Sequence, residues 1–172
     1  MNGRPLLLLI AAALAAAGCA TPGPEQATVN GATISSSAAA PAVRVTRHDD
    51  GGLQISFSSD AAFDFGSAAL KPSFEPQLEY VATLVMQVGQ GAVRVAAHTD
   101  NGGAADFNEA LSEQRAQRVA AFLVKQGVAP ERLVTTGWGA LQPRATNATA
   151  AGRRLNRRIE LLASPGVQQP LQ

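Results

Sequence analysis

The chemistry this chain can do lies in a few charged side chains standing where apolar ones are expected. Arg115 is the clearest case. Phe107, Leu111, Val119, Phe122 and Leu123 recur at three- and four-residue steps, the signature of one apolar helix face, and Arg115 fills the step between Leu111 and Val119. A guanidinium on that buried line is strongly unfavourable unless acceptors or an anion meet it, and its planar fork suits a carboxylate. The second charge is Asp100, which ends the run Ala97-His98-Thr99-Asp100 directly after a short apolar stretch. Ligands of α/β sheets sit outside the carboxyl ends of parallel strands. Asp100 and Arg115 on adjoining elements would therefore form a zwitterionic clamp, one end for an ammonium and the other for a carboxylate, and an amino-acid head group is the matching ligand. Two plainer readings stay open: an Arg115 that runs along the edge of its stripe to water, and an Asp100–Arg115 ion pair that only orients the loop.

The other reactive-looking residues carry less. His98 and Asp100 suggest an acid–base pair, but no Ser or Cys nucleophile has a motif around it, so His98 is expected to be a satisfied structural histidine and the chain not an enzyme. His48-Asp49-Asp50 resembles a metal run yet reads as a solvated turn before the fold. One cysteine and two histidines leave no donor set for a transition metal, and no metal or cofactor is expected. Arg153, Arg154, Arg157 and Arg158 form a basic cluster that Leu155 and Ile159 interrupt without interleaved aromatics. It reads as a solvated loop with one inward arginine rather than a nucleic-acid surface. The charge balance agrees: 14 basic against 13 acidic residues gives a net +1, with no bulk field for a polyanion.

The elements that must position these groups alternate. Leu53-Gln54-Ile55-Ser56-Phe57 has period two and reads as a strand, continued past a bend by residues 62–65. Ser73 is placed to cap a helix running to about Val88, with Leu78, Val81, Leu84, Val85 and Val88 on one face and Pro76 in its first turn. Residues 92–97 read as the second strand, 105–126 as a long helix closed by Gly127, 132–136 as the third strand and 155–162 as the fourth. Such an order implies crossovers and some parallel pairing. The expected fold is an α/β (α+β) sandwich, a mixed four-stranded sheet with two main helices on one side, over residues 43–163.

The flanks are of another kind. Arg4 precedes an apolar run, Leu6 to Ala17, too short for a bilayer span but the length of a signal-peptide core. Ala16-Ala17-Gly18-Cys19 resembles the lipobox of bacterial lipoproteins, which implies cleavage after residue 18 and a lipid on Cys19. Ala16 stands where that motif usually has Leu, and Ala20 rather than Asp follows the cysteine, which by resemblance implies the outer membrane. Residues 19–42, rich in Ala, Ser, Thr, Pro and Gly with Glu25 as the only charge, read as a flexible tether. It would reach ~75 Å fully extended. Residues 164–172 read as a disordered tail.

At the candidate residues the sequence resembles the OmpA-like C-terminal domain family. The resemblance is carried by His98-Thr99-Asp100-Asn101, by Asn108 to Ala116, by Gly137-Trp138-Gly139, by Asn147-Ala148-Thr149 and by Gly152-Arg153 through Glu160, with Phe63-Asp64-Phe65-Gly66-Ser67 as the opening segment. It covers residues 53–162. With the lipobox and tether, the whole chain resembles the peptidoglycan-associated lipoproteins. That resemblance implies noncovalent binding of the diaminopimelate in peptidoglycan stems. Asp100 would take the ammonium and Arg115 the carboxylate, Thr99 and Asn108 would add hydrogen bonds, Asp64 and Phe63 would line the pocket, and Arg157 would approach the ligand from the last strand, sharing parity with Ile159 and Leu161 on the inner face. It implies a lipid-anchored domain facing the periplasm that links outer membrane to wall. The alternative is an envelope assembly component that recruits Tol-type partners. The sequence departs from the family at Ala97, where Gly is usual, and at the extra glycine of Asn101-Gly102-Gly103, which is expected to loosen the loop beside Asp100.

Overall fold

The computed structural model describes residues 42–166. The expected signal peptide, Cys19, the tether up to residue 41 and the tail from 167 lie outside the described residues. The sheet has five strands in the order β1-β2-β5-β3-β4: β1 (Val43–Arg47), β2 (Leu53–Ser58), β3 (Val93–His98), β4 (Leu133–Gly137) and β5 (Arg158–Ala163). Only β3 and β4 run parallel; the other pairs are antiparallel. Among the described residues the α-helices are α1 (Ser59–Ala62), α2 (Glu75–Val88), α3 (Ala105–Lys125) and α4 (Ala150–Asn156).

The mixed α/β architecture is the expected one, with one strand more. The added strand, β1, forms a hairpin with β2 through the turn holding His48, Asp49 and Asp50. That histidine is therefore in a turn inside the fold, not before it. Alternation along β2 sends Leu53, Ile55 and Phe57 to the core and Gln54, Ser56 and Ser58 to the other face. Against the core face pack Leu78, Val81 and Val85 of α2 and Ala116, Val119 and Leu123 of α3, joined by Ile159 and Leu161 of β5. Each large aliphatic side chain so buried contributes roughly 1.5–3 kcal/mol.

Four expectations are corrected locally. Ser73 caps nothing: it lies in a 3₁₀ turn, Pro72–Phe74, and α2 follows with Pro76 in its first turn. Residues 62–65 do not prolong β2; α1 intervenes, and only a single bridge, Phe63 to Leu70, remains. Leu155 and Asn156 belong to α4, capped by the Thr149 side chain, and the last strand begins at Arg158. Ser164 still donates its N–H to the Ala92 carbonyl at 2.9 Å, so the chain is held past the expected end of the domain.

Gly137 decides how closely α3 lies on β4. A Cβ there would collide with the main chain of Glu113, so any side chain would push the helix off the strand. Glu113 uses the same proximity, accepting from the Gly137 N–H at 2.6 Å and the Thr135 hydroxyl at 3.1 Å. The helix that carries Arg115 is thus fixed relative to the strand ends.

Candidate ligand-binding site

The site forms at the carboxyl end of β3, where the chain turns into α3. Thr99 donates its N–H to the Gly139 carbonyl at 2.8 Å and its hydroxyl to the Asp100 carbonyl at 2.9 Å. Asp100 Oδ1 accepts from the Gly102 N–H at 2.8 Å, a side-chain turn typical of Asp. Asn108, buried near the start of α3, donates from Nδ2 to the Gly102 carbonyl at 2.8 Å. Gly102 is therefore bonded through both its N–H and its carbonyl. The glycine pair ties the loop rather than loosening it, and Gly103 takes the left-handed turn at φ 86°.

Arg115 is 5% exposed. It donates from Nε to the Ser67 carbonyl at 2.9 Å and from Nη2 to the Asp64 carbonyl at 3.2 Å, and its guanidinium carbon lies 5.2 Å from the centroid of the Phe63 ring. Neither plain reading survives: the side chain does not reach along its stripe to water, and among the described residues no carboxylate pairs with it. Burial pushes its pKa down; the Asp60 charge opposes that shift and the Arg157 charge adds to it.

Arg157 sits between α4 and β5 and does not share the inner face of the last strand. Its fork grips Asp60 bidentately, Nε to Oδ1 at 2.8 Å and Nη2 to Oδ2 at 2.7 Å, while Nη1 meets Asp100 Oδ2 at 2.6 Å. The Asp60 hydrogen bonds are the largest influence and hold it firmly protonated; burial opposes them, and the Asp100 hydrogen bond and the charges of both carboxylates add to them. Burial by itself raises the Asp100 carboxyl. Hydrogen bonds from Arg157 and the Gly102 N–H, with the charges of Arg157 and Arg153, outweigh that and keep its pKa below the usual value.

Thr99, Asp100, Asn108, Arg115 and Arg157 line one pocket of about 290 Å³, together with Asp60, Phe65, Phe107 and Leu111. Phe63 and Asp64 do not line it. The Phe63 ring lies under the Arg115 guanidinium, 1% exposed, and the Asp64 carboxylate faces solvent, 3.4 Å from Lys71 Nζ. From that opening segment the wall is formed by Phe65, fully exposed, and Gly66. Sequence reasoning missed Asp60, whose signal was the helix start Ser58-Ser59-Asp60, with the Ser58 hydroxyl accepting from the Asp60 N–H at 3.2 Å. It also placed Phe107 on the buried stripe, whereas the first turn of α3 is exposed and Phe107 is half-exposed at the pocket wall.

His98, next to this loop, is buried on the sheet face opposite the core, and neither ring nitrogen has a hydrogen-bond partner among the described residues. It is not the satisfied histidine expected. Desolvation lowers its pKa to about 4, the Arg158 charge adds to that, and Glu160, 3.8 Å from Nε2, opposes it.

The pocket is thus lined by charges of both signs. Its two carboxylates share Arg157, and Arg115 is positioned through neutral carbonyls. A carboxylate has about four lone-pair sites, so Asp100 retains acceptor capacity for an incoming ammonium.

Residues 62–157 match the model of the OmpA family. The chain is 41% identical over 123 residues to the probable lipoprotein YiaD of Escherichia coli, covering 72% of this chain and 56% of that protein. It is 39% identical over 103 residues to the peptidoglycan-binding protein ArfA of Mycobacterium tuberculosis, covering 60% of this chain and 32% of that one. A solved structure described as the cell wall anchor of the T6SS from Pseudomonas aeruginosa superposes with a TM-score of 0.65 at 34% identity, covering 72% of this chain and 87% of that chain. The chain spans little more than half, or less, of the length of the curated relatives it matches. With an extended family match lying over the same segment as the loop, the long helix and the pocket they build, the chain belongs to the OmpA family.

Proposed function

We propose that this chain binds peptidoglycan noncovalently and that the pocket holds the diaminopimelate head group of a stem peptide. The observation that carries this reading is the pairing of a buried arginine free of any carboxylate partner among the described residues with Asp100 across the same small pocket. Arg115 is a preorganised donor for the ligand carboxylate, since its Nε and Nη2 are already fixed and its orientation costs nothing further on binding. Asp100 takes the ammonium. Arg157 holds Asp100 in place. Thr99 and Asn108 shape the loop, and Phe65 and Phe107 flank the aliphatic part of the ligand. The names of relatives, among them a peptidoglycan-binding protein and a cell wall anchor, support the same ligand class.

The same proposal extends to the flanks. A lipid on Cys19 holds the chain in the outer membrane, residues 19–42 act as the tether, and the domain reaches the wall from the periplasmic side. Many weak, reversible contacts made by anchored copies on one polymer gain from effective concentration rather than from single-site strength.

Co-sedimentation with purified sacculi tests the reading. Wild type should pellet with the wall, and a folded Arg115→Ala variant should remain in the supernatant. Equal pelleting of the two would contradict the pocket mechanism. Retention of a specific protein partner after wall digestion, with no wall binding, would replace it with the Tol-type alternative.

A further inference from the structure

The arginine cluster that the stem-binding site leaves unexplained lines a second, larger pocket of about 500 Å³ on the other side of Arg157. Its wall carries Arg44, Arg144, Arg154, Arg157 and Arg158 and no acidic side chain. Two of these are already occupied: Arg157 by Asp60 and Asp100, and Arg158 by Glu160 at 2.7 Å together with the Gln142 carbonyl. Arg144 reaches Glu160 only at 3.6 Å and stays mostly exposed. Beyond their main-chain places in β1 and α4, Arg44 and Arg154 make no hydrogen bond or ion pair among the described residues. Five guanidiniums thus face three carboxylates that Arg157 and Arg158 already hold.

We propose that this pocket binds a phosphate group. The donors approach from several elements: Arg44 from β1, Ser56 from β2, Arg154 from α4, and Arg144 from the loop between β4 and α4. Convergence of that kind suits a tetrahedral oxyanion with acceptors pointing several ways better than a planar carboxylate, which one bidentate arginine satisfies. Buried Phe57, partly buried Ala61 and half-exposed Leu155 add apolar surface to the lining. The phosphate comes from a soluble ester or from a lipid headgroup; the recognition chemistry is the same. This pocket does not depend on the wall-binding reading.

The test is an NMR titration of the full chain with inorganic phosphate. The expected result is saturable shifts at Arg44, Ser56 and Arg154, weakened at least ~10-fold in Arg44→Gln/Arg154→Gln, where two charge-assisted donors are lost. Arg94→Gln, an exposed arginine on the same sheet face but outside the pocket, should leave phosphate binding unchanged. In a second arm, vesicles of phosphatidylcholine with and without phosphatidylglycerol identify the source. An anionic preference lost in the double variant assigns a lipid phosphate, and phosphate binding without that preference assigns a soluble ester. Absence of saturable shifts, or equal weakening by Arg94→Gln, overturns the proposal, since the effect would then be only the diffuse field of the sheet face.

Discussion

Arg115 and Arg132 are nearly the same structural object at opposite ends of the sheet. They are 5% and 7% exposed. Each donates from Nε to a main-chain carbonyl at 2.9 Å, Arg115 to Ser67 and Arg132 to Gly91, and each donates from Nη2 to a second carbonyl, Asp64 at 3.2 Å and Val85 at 3.3 Å. Their surroundings differ. Arg132, just before β4, meets a last-turn carbonyl of α2, one of the acceptors a helix end leaves unpaired. Arg115 stands beyond the carboxyl end of β3 and borders a pocket that also holds Asp100 and Arg157. A buried arginine is therefore not in itself a ligand signal. Carbonyls can satisfy it, and it becomes a receptor only where a cavity opens beside it.

The largest expected effect separates the two. Arg115→Ala should weaken binding of a diaminopimelate stem peptide at least ~100-fold, about 3 kcal/mol, the scale of a lost charge-assisted contact. Calorimetry on folded protein reads it.

His98 sharpens the contrast as a buried polar group with no hydrogen-bond partner among the described residues. Its folded pKa, about 4, lies below the ordinary 6.5, so the unfolded chain takes up the proton first. Stability should be fully present above pH 6.5, fall by about 3 kcal/mol as pH drops toward 4, and lose nothing further from this group below that. Urea midpoints at pH 7, 5 and 4 measure the slope, and His98→Gln should flatten it.

Arg132→Ala should cost about 2 kcal/mol of stability by orphaning two carbonyls, yet leave stem-peptide affinity unchanged. Denaturant unfolding and calorimetry on the same sample check both halves. A loss of affinity here would break the comparison.

Arg157→Ala is expected to be milder, weakening binding by up to ~10-fold, about 1.4 kcal/mol. Its sharper signature is the Asp100 carboxyl, whose pKa should rise once burial is no longer outweighed by that guanidinium. A carboxyl-carbon NMR titration reports the direction. Asp64→Ala should do least, under about 0.5 kcal/mol in stability and nothing in binding, because Arg115 uses only the Asp64 carbonyl.

The helices and inner strands were legible because their apolar spacing is set by the core. Leu78, Val81 and Val85 fall at helical steps, Leu53, Ile55 and Phe57 at alternate positions, and all are buried. The edge strand β1 was not, although Val43 and Val45 alternate with Arg44 and Thr46: only Val43 is even partly buried, and two apolar residues are too short a run to mark a strand. α4 was hidden by its arginines, which read as a basic loop, although Thr149 is an ordinary N-cap. In the site, Asp100 and Arg115 could be picked out from position and periodicity, and Thr99, Asn108 and Arg157 came through family resemblance. Asp60 and Phe65 could not be found that way: they reach the pocket only because α1 and the bend at Gly66 carry the chain back over the end of the sheet. Phe63 and Asp64 were assigned the wall, but one turns into the core and the other to solvent, and the register of that bend is not encoded in any local period.

The most direct measurement is calorimetric titration of a diaminopimelate stem peptide into wild type, Asp100→Ala, Arg115→Ala and Arg132→Ala, each verified as folded. The account predicts binding by wild type and Arg132→Ala and loss of binding in Asp100→Ala and Arg115→Ala. No binding by folded wild type, or an equal loss in Arg132→Ala, would contradict it.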